Sequence, residues 1–273
     1  MGILGIAFLG ACITFWVTQN DYIYEPASTL QTTPERVGLK ADTILISSGT
    51  GGGRGDLFSW WIAVESKTAP TLLYLHGNDN NIGYVREIEY ARRMHELGYN
   101  VLMIDYRGYG KSTGGKPNEA KVYEDAESAW NYLLNQQHIS ASHIFNYGHS
   151  LGGAIAIELA TRHPEAAGVI EESSFTSMPA VVTTMSHNLP TGILIHEKFD
   201  SLSKVAELKI PLLIIHGTWD KIVPYHMGQQ LYDAAPQPKT IALIEGGTHE
   251  GSCIVGQVEC RRIFSTFVSQ NMH

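Results

Sequence analysis

Gly148, Ser150 and Gly152 are spaced glycine–x–serine–x–glycine in the text GHSLG. This spacing can hold a serine on a tight, strained turn that exposes its hydroxyl above a sheet edge, with glycines where side chains would strike neighbouring backbone. The flanking text suits such a turn, since HIFNYG reads as a strand and LGGAIAIELATRH as a helix. A serine hydroxyl is a poor nucleophile until a base takes its proton and an acid orients the base. Downstream, Asp220 follows the apolar run PLLIIHG and His249 follows IALIEGG. Both therefore fall at carboxyl ends of successive strands, where the reacting groups of open α/β sheets gather. Asp200 is a rival acid, but it precedes the strand and sits in the polar stretch FDSLSK. A neutral imidazole with an ordinary pKa of about 6.5 can accept the Ser150 proton at neutral pH. His149 adjoins the serine, yet neighbouring side chains diverge on a sharp turn, which points to a structural role.

The tetrahedral intermediate of acyl transfer needs two donors. The N–H of Leu151 opens the helix whose dipole favours an anion, and the N–H of Asn78 follows the strand TLLYLHG. His76 in that strand reads either as a polar strand end or as part of the site. Met178, Val181, Val182, Met185, Leu189, Ile193 and Leu194 could wall an apolar site beside Ser150, and could equally be core.

Other groups that invite chemistry fail on spacing. Gly110-Lys111-Ser112 resembles the end of a phosphate-binding loop, but the required earlier glycine is replaced by Asp105. The run Gly51–Gly53 precedes a strand and not a helix, so it lacks the amide cluster that holds a pyrophosphate. Twelve histidines include no paired ligand spacing, so neither a metal nor a cofactor is expected. Three cysteines exclude a disulfide scaffold and a four-cysteine zinc site. Cys253 and Cys260 can pair only if their segment is not one helix, because seven helical residues rise about 10.5 Å.

These groups need a scaffold. Charged residues make up 17% of the 273 positions, against roughly 25% in an ordinary soluble chain, and 44% are hydrophobic. Such a chain buries a sizeable core and is not disordered. A net charge of −8 without a basic patch argues against nucleic acid as a partner. Strands are predicted at Asp42–Ser47, Phe58–Val64, Thr71–His76, Asn100–Asp105, His143–Gly148, Ala167–Glu171, Ile210–His216 and Thr240–Glu245. Helices are predicted at Tyr84–Leu97, Glu119–Gln137, Leu151–His163, Tyr225–Ala235 and Val258–Val268. Continuous apolar strands separated by helices imply a mostly parallel sheet covered on both faces, in one α/β domain. The first two strands, joined by SSGTGGGRGD, read as an antiparallel edge hairpin.

Residues 1–24 read as an N-terminal hydrophobic anchor or signal segment. Gly2–Val17 is almost wholly apolar, at the short edge of what spans a bilayer, and Trp16, Tyr22 and Tyr24 suit the interface. Membrane association through residues 2–17 is the expectation, with the catalytic domain soluble. A cleaved signal peptide and a helix covering the domain stay open, although no Lys or Arg precedes Arg36 to make a positive n-region.

Taken together, LYLHGN at 73–78, DYRGYGKSTG at 105–114, GHSLGG at 148–153, ESSFTSM at 172–178, HGTWDKIVP at 216–224 and GGTHEG at 246–251 resemble the α/β-hydrolase superfamily. The similarity is to the branch of serine-aminopeptidase-like hydrolases, monoacylglycerol lipases and membrane-associated lysophospholipases and depalmitoylases. The resemblance covers about residues 35–270 and implies a hydrolase domain over 35–273 with an eight-stranded, mostly parallel sheet. It implies Ser150, Asp220 and His249 as the triad, with Asn78 and Leu151 as oxyanion donors. Ser173–Lys209 is too short for a large multi-helix lid, so only a small lid region is expected. The expected activity is hydrolysis of carboxylic esters or thioesters, with a small-molecule or lipid acyl ester as substrate. Peptidase or amidase action on the same triad is an alternative, and a non-catalytic binding protein on the same fold is another.

Overall fold

The computed structural model describes residues 3–66, 68–186, 190–255 and 257–272. All eight predicted strands form, and they lie in one sheet. From one edge the order is Lys239–Ile244, Leu212–Gly217, Gly168–Glu172, Ile144–His149, Thr71–Leu75, Asn100–Ile104, Gly55–Ile62 and Asp42–Ser48. The first six run parallel, whereas Gly55–Ile62 is antiparallel to both neighbours, which makes the expected edge hairpin.

The continuous apolar character of the strands follows from burial on both faces. Successive side chains point to opposite sides, so Leu73, Leu102 and Ile214 join Trp130, Leu133, Ile155 and Leu159 on one face. Leu72, Val101 and Leu213 join Ile88, Met94, Phe264 and Phe267 on the other. Helix Glu119–Asn135 begins where the Asn118 side chain accepts from the Lys121 N–H at 2.9 Å, satisfying an otherwise orphaned donor. Helix Val85–Glu96 stops at Gly98, whose φ of +87° closes the last turn.

The stretch that resembled a phosphate loop is structural. Ser112 Oγ donates to the Asp105 carbonyl at 2.7 Å and accepts from the Phe58 N–H at 2.8 Å. Beside it, buried Arg107 donates from Nε to Asp125 at 2.6 Å and from a terminal nitrogen to the Gly53 carbonyl at 2.7 Å. Cys253, in helix Ser252–Val255, and Cys260, in helix Gln257–Asn271, form a disulfide with Cα atoms 5.5 Å apart, far less than the rise of about 10.5 Å over seven residues of one helix.

The N-terminal helix, Ile3–Thr18, has 16 residues, about 24 Å at 1.5 Å per residue, against a hydrocarbon core of about 30 Å. No helix among the described residues is long and apolar enough to cross a membrane. A membrane-spanning signal-anchor therefore finds no support in this helix. The residues that follow pack into the domain. Ile23 and Tyr24 belong to the buried core, and Glu25–Pro26 pairs in parallel with Asp79–Asn80. The cap over the sheet is small, made of helix Met178–Met185, a turn at Pro190–Leu194 and helix Ser201–Val205.

Candidate active site

Strand Ile144–His149 ends in the middle of the sheet, and helix Leu151–Arg162 starts two residues later. Ser150 makes the turn alone, with φ of +53° and ψ of −117°. A non-glycine residue there stores strain, and the surroundings must enforce it. Here the enforcement is close backbone packing. A Cβ on Gly148 would lie 2.0 Å from the Gly152 carbonyl oxygen, and one on Gly152 would lie 1.9 Å from that of Leu75. Only glycine fits either position.

The three side chains separated in sequence meet at this turn. His249 Nε2 lies 3.0 Å from Ser150 Oγ, and His249 Nδ1 lies 2.7 Å from Asp220 Oδ2. With Nδ1–H donating to the carboxylate, Nε2 carries a lone pair aimed at the serine hydroxyl. Asp220 is anchored through Oδ1, which accepts from the N–H groups of Ile222 at 2.9 Å and Val223 at 2.8 Å. Burial alone would raise this carboxyl, but hydrogen bonds from His216 and His249 hold it well below the usual carboxylate range. Asp220 is therefore ionised at neutral pH. Asp200 is not part of this group: it caps helix Ser201–Val205, accepting from the Ser203 N–H at 3.3 Å.

Asn78 and Leu151 line the same cavity as Ser150. The Asn78 carbonyl accepts from the Glu25 N–H at 2.9 Å and from Tyr109 Oη at 2.7 Å, while its Nδ2 donates to the Ile23 carbonyl at 2.9 Å. His76 turns away: its Nδ1 donates to the Gly77 carbonyl at 2.8 Å, and burial lowers its pKa to about 4. It is the polar strand end.

The cavity has a volume of about 450 Å³, inside the range of roughly 300–1,000 Å³ for small-molecule sites. Met178, Val181, Val182 and Met185 line it as expected, but Ile193 and Leu194 do not, and Leu189 lies outside the described residues. Ile193 is on the outer side of the cap, 80% exposed. Among the described residues no group of three or more His, Cys, Asp or Glu is placed to hold a metal ion.

A family model described as serine aminopeptidase, S33, matches residues 66–191 and 174–251. The chain belongs to this family of α/β hydrolases. An uncharacterized protein of Mycobacterium tuberculosis, Rv2307c, is 30% identical over 250 residues, which cover 91% of this chain and 86% of that protein. Alpha/beta hydrolase domain-containing protein 17B of Homo sapiens is 32% identical over 202 residues, 74% of this chain and 67% of that protein. Among solved structures, the Pyrococcus furiosus esterase Pf2001 matches in fold with a TM-score of 0.75, at 20% identity, over 92% of this chain and 99% of that chain.

Two further groups surround this hydrolase's site, and motifs give at most their position and not their contacts. The first is a pair of histidines packed behind Asp220 and His249. His216 Nε2 lies 3.3 Å from Asp220 Oδ2 and donates to the Val223 carbonyl at 2.9 Å. His149 Nε2 donates to the His249 carbonyl at 3.0 Å, and burial, with the His249 charge, lowers its pKa to about 3. It stays neutral and fixes the backbone of His249. The second group is Phe15, Gln19, Tyr22 and Ile23, which line the cavity from the N-terminal segment. Their one signal in the sequence is spacing at i, i+4, i+7 and i+8, a single helical face.

Proposed function

We propose that this hydrolase cleaves carboxylic esters or thioesters bearing an acyl chain, through an acyl-enzyme on Ser150. The observation that carries the reading is the run of contacts from Asp220 through His249 to Ser150, opening on an apolar cavity. In the first step His249 Nε2 takes the serine proton as Oγ bonds to the acyl carbon, and the carbonyl electron pair moves to oxygen. The N–H groups of Asn78 and Leu151 receive that oxyanion, and the dipole of helix Leu151–Arg162 adds to them. Collapse expels the alcohol or thiol, which leaves with the proton from His249. Water then repeats the sequence, releases the carboxylic acid and restores the serine.

The aminopeptidase description of the family supports amide cleavage as a second reading. Among the described residues Glu25 is the one charged residue lining the cavity, and its carboxylate could receive a free α-amino group. Aminoacyl p-nitroanilides test that reading beside p-nitrophenyl esters and acyl thioesters. Membrane association through residues 2–17 belongs to the proposal too. Its support is the outward apolar face of Ile13, Trp16 and Val17, which suits a helix lying in an interface.

The decisive experiment is labelling with a fluorophosphonate. Ser150→Ala should lose labelling and ester turnover while keeping cooperative unfolding. Undiminished labelling of that variant would remove Ser150 from the mechanism.

A further inference from the structure

The segment that walls the cavity from the N-terminal side is fastened to both ends of the site. Toward the cap, fully buried Gln19 accepts from the His196 N–H through Oε1 at 2.8 Å and donates through Nε2 to the Leu194 carbonyl at 3.3 Å. Tyr24 Oη adds a bond to Glu197 at 2.5 Å. Toward the oxyanion side, the Ile23 carbonyl and the Glu25 N–H both bond to Asn78, each at 2.9 Å. A glutamine costs free energy to bury unless its polar atoms are satisfied. Here Nε2 also donates to the Trp16 carbonyl at 2.8 Å, while Oε1 is satisfied by a group more than 170 positions away. A segment serving only as an attachment needs none of these bonds.

We infer that residues 15–25 are a specificity-determining wall of the active site, with Phe15, Tyr22 and Ile23 bounding the space for the acyl chain of an ester or thioester. The inference rests on reading Ser150 as the acyl-accepting nucleophile. Since Asn78 and Leu151 stand beside Ser150 at the same cavity, a carbonyl held there leads its alkyl chain along Phe15 and Val181. The space of about 450 Å³ lies within the roughly 300–1,000 Å³ of sites that bury a small ligand.

The test uses the full-length protein and alkyl fluorophosphonates from ethyl to dodecyl. In each, Ser150 Oγ displaces fluoride from phosphorus as its proton passes to His249. In the wild type the inactivation rate constant should rise about four-fold for each methylene placed in the cavity. Phe15→Trp narrows the cavity and should cut the dodecyl-to-ethyl ratio about fifteen-fold, the loss of two methylenes. Phe15→Ala should move the optimum to longer chains, and it keeps the test sound if the tryptophan does not fit. Ile193→Ser, on the outer side of the cap, should leave the ratio unchanged. A ratio that stays at the wild-type value in both Phe15 variants overturns the inference alone. If no probe phosphonylates Ser150, the proposed function falls, and the inference falls with it.

Discussion

Replacing Asp220 by Asn tests how the base is oriented. Asp220 Oδ1 already accepts two backbone N–H groups, from Ile222 and Val223, so the amide oxygen of an asparagine settles there. Its NH2 group then occupies the position of Oδ2 and points a donor at His249 Nδ1, 2.7 Å away in the wild type. Nδ1 must become the acceptor, so the imidazole proton moves to Nε2, the nitrogen that faces Ser150 Oγ. A protonated Nε2 cannot take the serine proton. The corresponding tautomer error in a trypsin-like triad costs about 10⁴ in turnover, or roughly 5 kcal/mol at 1.36 kcal/mol per decade. The assay is kcat/KM on a short p-nitrophenyl ester for Asp220→Asn and, alongside it, Asp200→Asn, with thermal melts to show that both fold. A fall of about four decades is expected in the first variant, and no comparable loss in the second. If Asp220→Asn keeps its rate within about ten-fold of wild type, or Asp200→Asn is the variant that dies, the orientation argument fails.

Two further perturbations probe the scaffold. Arg107→Met leaves the buried Asp125 carboxylate without its guanidinium partner and should cost about 3–5 kcal/mol in urea unfolding; the same loss in a chain also carrying Asp125→Asn would contradict this cause. The imidazoles of His76 and His149 are held down to about 4 and about 3 by burial. Below pH 6.5 the unfolded chain therefore binds protons at these positions that the folded chain refuses. The stability they confer is complete above about pH 6.5 and is lost on acidification at up to about 1.4 kcal/mol per pH unit for each group. His149→Gln should thus lower Tm at neutral pH but flatten its decline between pH 6.5 and 5, and an equally steep decline would count against neutral burial of His149.

Chain order and strand periodicity carry most of the site. The short β-branched apolar runs bounded by turn residues become strands, and PLLIIHG and IALIEGG end just before Asp220 and His249. Glycine chemistry at positions 148 and 152 is readable because the turn leaves no room for a Cβ. The N-terminal segment is harder, for a physical reason. Apolar side chains such as Phe15 and Ile23 suit a lipid interior and a protein cavity equally, so hydrophobicity alone does not tell an anchor from a wall. What distinguishes them is Gln19, a polar residue that bonds to Trp16 nearby and also to Leu194 and His196, and no local pattern encodes the two distant pairings. The disulfide was hidden in the same way. The helix predicted over residues 258–268 contains Cys260 but not Cys253, and nothing local says how the preceding chain is directed so that the two cysteines meet.

The order of the strands also bears on how the protein reaches its working state. Asn78, Ser150, Asp220 and His249 follow four different strands, and His249 follows the edge strand, Lys239–Ile244, which pairs with Leu212–Gly217 alone. Parallel neighbours cannot be joined by a hairpin, so each pairing must close a long crossover before its contacts repay the lost chain entropy. The turn at Ser150 in turn needs the Gly152 backbone pressed against Leu75, a contact between segments far apart in sequence. The meeting of Ser150, Asp220 and His249 is thus a property of the whole sheet and of no local piece of it, since each of the three is placed by a different strand.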